Sequence, residues 1–132
     1  MLNLTQHKAT EEQVAQGIED LPQEQVKILA NLLTFEEVPT AEEMRIRAKE
    51  IASLARQTGA TAAMIGGAPF FMSSLEAALQ SAGIQPRYAF SKRESVDQPQ
   101  PDGSVRKVAV FKHITTFPAA QLDTDAWASV VA

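Results

Sequence analysis

"MIGGAPFFMSSLEAALQSAG", residues 64–83, joins an apolar run to a helical pattern through two adjacent glycines and a proline. The run itself, "TAAMIGG" from 61 to 67, is small and apolar without alternation, as expected of a strand covered on both faces. Pro69 suits a first helical turn, where its missing N–H costs nothing. Phe71, Leu75, Ala78, Leu79 and Ala82 then recur at the spacing of one buried helical face, and Gly83 closes the helix. Strand, glycine turn and helix in succession predict the repeating unit of a parallel α/β sheet.

The same grammar extends in both directions. Upstream, Leu2–Thr5 reads as a short strand and Thr10-Glu11-Glu12-Gln13 as a capping box opening a helix. "IEDLP" is either a second strand or a connector, and Val26, Leu29, Leu32 and Leu33 mark a helical stripe. A second capping box at Thr40–Glu43 opens a helix that buries Met44, Ala48, Ile51, Ala52 and Ala55. Downstream, "PRYAFS" is a strand and "PDGSVRKVAVFKH" a turn leading into another, so 87–113 forms a hairpin with a polar loop, "ESVDQPQPDGS". Right-handed crossovers then predict a small Rossmann-like three-layer α/β sandwich, mostly parallel, with a C-terminal antiparallel hairpin edge. One domain spans 1–117, and 118–132 is a tail that either docks through Trp127 or stays loose.

Composition narrows the function. A net charge of -4 argues against coating duplex nucleic acid, which needs a broad cationic face. Without cysteine there is no thiolate nucleophile and no cysteine-type zinc site, so neither a metal nor a cofactor is expected. No stretch approaches the roughly 20 apolar residues of a membrane span, and the N-terminus lacks the apolar core of a signal peptide; a soluble, cytoplasmic protein is expected. Charge is uneven, however. Arg87, Lys92, Arg93, Arg106, Lys107 and Lys112 gather in the hairpin while the acids concentrate before residue 60, which suits either a small anionic ligand or a solvated hairpin.

In an open α/β sheet, ligands sit beyond the carboxyl ends of the parallel strands. The residues expected there are Thr5, Gln6 and His7 after the first strand, Gly66, Gly67, Ala68, Pro69 and Phe70 after the central one, and Ser91, Lys92 and Arg93 after the next. The glycines let backbone approach a ligand, and the helix start favours an anion. "GGAP" nevertheless matches neither the spaced dinucleotide fingerprint nor a P-loop, and a plain turn also accounts for it. Lys92 and Arg93 supply cations, and His7 a general acid or base near neutral pH. His113 ends an antiparallel strand and is expected at the opposite end of the sheet. Phe70 and Met72 lie off the apolar stripe and call for a partner, such as a dimer interface.

The succession "LTQHKATEEQ", "GIEDLP", "MIGGAPFFM", "AGIQPRYAFSKRES" and "DGSVRKVAVFKH" resembles small phage and prophage proteins of unknown function. More distantly it resembles the CRISPR-associated Rossmann-like proteins that include ring nucleases. The resemblance implies a cyclic oligoadenylate or related nucleotide messenger near Gln6, His7, Gly66, Gly67, Ser91 and Arg93. It further implies an antiviral response tuned either by a metal-independent phosphodiesterase or by a non-catalytic sponge. "GGAPFF" departs from the more polar family turn, which weakens the case for hydrolysis more than for binding. The alternative is a homo-oligomeric, most simply dimeric, interaction protein without a small-molecule ligand.

Overall fold

In the computed structural model, which describes residues 1–120 together with 128 and 130, nine elements follow one another. They are β1 (Leu2–Leu4), α1 (Glu11–Ala15), β2 (Glu19–Asp20), α2 (Gln23–Leu33), α3 (Ala41–Gln57), β3 (Ala62–Ile65), α4 (Pro69–Ser81), β4 (Gln85–Pro99) and β5 (Val105–Pro118). Both expected helix starts are capped, but only the first is a full capping box: Thr10 accepts the Gln13 N–H while the Gln13 side chain accepts the Thr10 N–H, whereas Thr40 accepts the Glu43 N–H and the Glu43 carboxylate turns to Arg47 instead. Each such cap stabilises its helix by about 1 kcal/mol.

The strands form one mixed sheet in the order β2-β1-β3-β4-β5, parallel except for the antiparallel β4–β5 pair. Alternation along β1 and β3 sends Leu2, Leu4, Ala63 and Ile65 into a core shared with Leu29 and Leu33 of α2, Ile51 and Ala55 of α3, and Phe71, Leu75 and Leu79 of α4. Burying each of the larger side chains contributes about 1.5–3 kcal/mol. The helical stripes therefore meet the sheet as their spacing predicts. Val26 is the exception, since it stays partly exposed. α1 lies apart from this core and packs against β5.

Two expectations are corrected here. Met72 is buried in the core, with its methyl 3.4 Å from where a Cβ on Gly67 would stand, so it needs no external partner. The polar loop 94–104 is also far shorter than expected. Glu94–Pro99 are strand residues paired with Val105–Val110, and the turn is confined to 100–104. Polar composition misleads there because a ribbon open to solvent on both faces has no need of apolar alternation, and Pro99 is tolerated at a strand end. Gly103, at φ +84°, supplies the left-handed residue of the turn, while Asp102 accepts the Ser104 N–H and is held below its ordinary value by that bond and by the Ser104 hydroxyl. Trp127 lies outside the described residues.

Candidate functional site at the strand ends

The chain leaves β1 toward β2 on one side and returns to β3 on the other, so the connections diverge between β1 and β3. A crevice opens at such a switch point because no single loop covers it. Here it is a cleft of about 800 Å³. One wall is polar and comes from the segment after β1 and from α1: Thr5, Gln6, His7, Lys8 and Gln13. The floor is Met64, Ile65 and the backbone of Gly66, Gly67 and Ala68, and the far wall is apolar, with Leu33, Phe35 and Tyr88.

The polar wall is held from beneath by a buried amide. Asn3 Nδ2 donates to the His7 carbonyl at 2.7 Å and to Asp20 Oδ1 at 2.8 Å, while its Oδ1 accepts the Thr5 N–H at 2.9 Å and the Thr5 hydroxyl at 2.8 Å. Asp20 Oδ1 also accepts the Ala9 N–H at 3.0 Å. A side chain with both ends satisfied in this way fixes the loop that presents the exposed Gln6, His7 and Lys8.

The glycine pair divides its duties. Gly67 sits at φ +151°, which favours glycine, whereas a Cβ on Gly66 would meet only Thr5 Cγ2, at 3.5 Å. α4 begins with Pro69 in its first turn, and its N-cap, Ala68, makes no side-chain cap bond. Phe70 is not part of the cleft lining. It stands beside Phe35 in an edge-on contact with ring centroids 5.1 Å apart. Phe35 also meets Phe71 at 5.2 Å and lies under the Arg47 guanidinium, 4.4 Å from its centroid. Arg47 in turn donates to the carbonyls of Asn31, Leu32 and Thr34 at the end of α2 and pairs with Glu43. Phe35, rather than Phe70, is therefore the aromatic surface turned to the cleft, and it is clamped from behind.

On the same wall the Tyr88 hydroxyl donates to Glu76 Oε2 at 2.6 Å. Burial, then that bond and the Glu76 charge, raise the phenol above its ordinary value and keep it a donor.

Of the residues expected at the rim, Thr5, Gln6, His7, Gly66, Gly67 and Ala68 line the cleft together. Pro69, Phe70, Ser91, Lys92 and Arg93 are absent from its lining. β4 pairs with β3 only through Tyr88, so Ser91, Lys92 and Arg93 have already passed beyond the sheet onto the projecting hairpin. His113 corrects the expectation in the other sense. β5 ends opposite Arg87, and His113 stands across from Ser91, at the rim end of the sheet. It is buried between a side chain of α1 and that of its C-cap, with Gln13 Nε2 at 3.4 Å from Nδ1 and Gln16 Oε1 at 3.1 Å from Nε2. Lys8, Phe35 and Tyr88 had no motif to reveal them; Lys8 follows His7 directly and was the one residue that adjacency could have suggested. Among the described residues no cluster of three or more histidine or acidic side chains is placed to hold a metal ion.

No helix among the described residues is long and apolar enough to cross a membrane. Neither the curated proteins nor the solved structures compared with this chain give a match. The sequence model of the uncharacterized protein MJ1673 family, by contrast, matches residues 1–116, and the chain belongs to that family.

Proposed function

We propose that the protein binds a nucleotide-derived anion in the cleft between β1 and β3, as a sponge or a metal-independent phosphodiesterase for a cyclic oligonucleotide messenger of an antiviral response. The observation that carries this reading is the convergence of His7, Lys8 and the Gly66-Gly67 backbone opposite the clamped Phe35 ring. A phosphate needs a cation and close backbone; a base needs a flat apolar face; the cleft offers both within one volume. The strand order with its switch point supports the finer description as a Rossmann-like sandwich, with α1 as the smaller outer layer.

In this reading Lys8 meets the phosphate, Phe35 stacks on a base, and Gln6 hydrogen-bonds its edge. In the cleaving form the ligand's own 2′-oxygen attacks the adjacent phosphorus and the P–O5′ bond breaks, leaving a 2′,3′-cyclic phosphate and a 5′-hydroxyl; His7 takes the 2′-hydroxyl proton and returns it to the leaving 5′-oxygen, while Lys8 stabilises the charge developing on the phosphate. Lys92 and Arg93, assigned that electrostatic work from sequence, stand on the hairpin, outside the cleft lining. Binding draws on the whole cleft lining, whereas hydrolysis draws on His7.

Incubation with cyclic oligoadenylates followed by chromatography tests it. Linear products establish a phosphodiesterase, retention without cleavage establishes a sponge, and absence of both defeats the reading. His7→Ala should abolish cleavage and spare binding, whereas Lys8→Ala should weaken binding about tenfold, the loss of one charge-assisted contact.

A further inference from the structure

Beyond Tyr88, β4 has no strand neighbour but β5 among the described residues, so 89–99 and 105–114 form a two-stranded arm whose edges no other described strand pairs. At about 3.3 Å per residue the arm reaches roughly 35 Å past the sheet. An isolated two-stranded ribbon is marginal in water, and among the described residues the hydrogen bonds of this one to the body lie near its root, where Gln16 Nε2 donates to the Ile114 carbonyl at 2.8 Å and Gln13 and Gln16 bracket His113. It nonetheless carries apolar side chains in the open. Val96 stands directly across from Val108, with Val110 next along the same face, and Phe111, 77% exposed, occupies the other face opposite Arg93. Unpaired edges with exposed apolar residues are an aggregation hazard unless something covers them.

We infer that the β4–β5 arm is the contact surface for a second copy of this chain, each copy laying its arm on the other's body. Charge favours that occupant. The arm holds Lys92, Arg93, Arg106, Lys107 and Lys112 against three acids, whereas residues 1–60 hold ten acids against six bases. Basic arm and acidic body are thus complementary between copies. Area favours it as well. One face of the arm, two strands wide, offers about 350 Å² of flat surface. A two-fold exchange makes each copy give one arm and receive one, which approaches the roughly 800 Å² per partner of a stable interface. The surface differs from the one expected from sequence: Met72 is buried, and Phe70, 53% exposed, stands beside Phe35 on the body rather than on the arm. The inference stands independently of the cleft's ligand.

Sedimentation equilibrium of the full chain at micromolar concentration tests it. The expected species has about twice the 14.3 kDa chain mass. The double substitution Val96→Glu and Val110→Glu should weaken association at least a hundredfold, with helical circular dichroism retained. Both positions are partly solvent-exposed within the single chain, so the fold has little reason to collapse. A second variant, with 94–110 replaced by an Asn-Gly turn, should be monomeric too, while Phe70→Asp should leave the dimer intact. A monomeric wild type overturns the inference, as does a dimer that persists in both arm variants or is lost only with Phe70→Asp. An arm that instead binds a single-stranded oligonucleotide while the chain stays monomeric also overturns it. Nucleotide binding measured on the arm variants reads the cleft separately.

Discussion

The two halves of β4 show the same strand in two environments. From Gln85 to Tyr88 it pairs with β3, and at Arg87 and Tyr88 with β5 on the other side as well, with α4 packed against it. From Ala89 onward it loses β3 and the helices, and its residues are exposed. Backbone pairing with β5 continues through both halves. The halves thus differ in a second ladder, to β3, and in burial, and together these place stability in the body and leave the arm open for contact.

Substitutions should separate the halves by size of effect. Phe71→Ala empties a fully buried site and should destabilise by about 3–5 kcal/mol in urea unfolding. A loss under about 1 kcal/mol would mean that the body's core is not what holds the fold. Asn3→Ala leaves Asp20 and the His7 carbonyl without their shared donor and should cost about 1–3 kcal/mol. It should also disturb any ligand affinity that depends on the loop carrying His7. Gly67→Ala, strained at φ +151°, should cost about 1–2 kcal/mol. Gly66→Ala, with only an ordinary contact to Thr5, should be near neutral, so equal effects would contradict this division of the turn. On the arm, Val105→Thr should change stability by less than about 0.5 kcal/mol under monomeric conditions.

Tyr88 gives a spectroscopic reading at the boundary of the two halves, because it is the chain's single tyrosine. Its phenol is raised from the ordinary 10.0, chiefly by burial and then by Glu76. The folded state thus holds its proton more tightly than the unfolded chain does. That contribution to stability is complete below pH 10 and declines as pH rises past it. Alkaline titration should show phenolate absorbance delayed relative to free tyrosine, and Glu76→Gln should bring it part of the way back.

Much of the body was legible because its elements carry local rules. The helix caps at Thr10 and Thr40, the stripe from Phe71 to Ala82 and the small apolar run before Gly66 each satisfy a constraint that operates within a few residues. The rim was legible by inheritance: once β1 and β3 are parallel strands, Thr5–His7 and Gly66–Ala68 must meet at their carboxyl ends. What failed was reach. A strand ending near Ser91 would put Ser91–Arg93 in the cleft and a last strand ending at His113 would put that residue at the far end, but β4 runs on to Pro99 and β5 to Pro118.

By itself the sequence determined the order of the helices and of the strands other than β2, the parallel core and the end of the sheet at which the cleft opens, since periodicity, caps and crossover handedness are local or topological. Tertiary structure alone decided that Phe35 rather than Phe70 faces that cleft, that Asn3 ties the His7 loop down, and that the hairpin leaves the sheet as a basic arm. Those outcomes depend on which distant segments share a surface, and a strand that runs on past its neighbour looks the same in sequence as one that ends beside it.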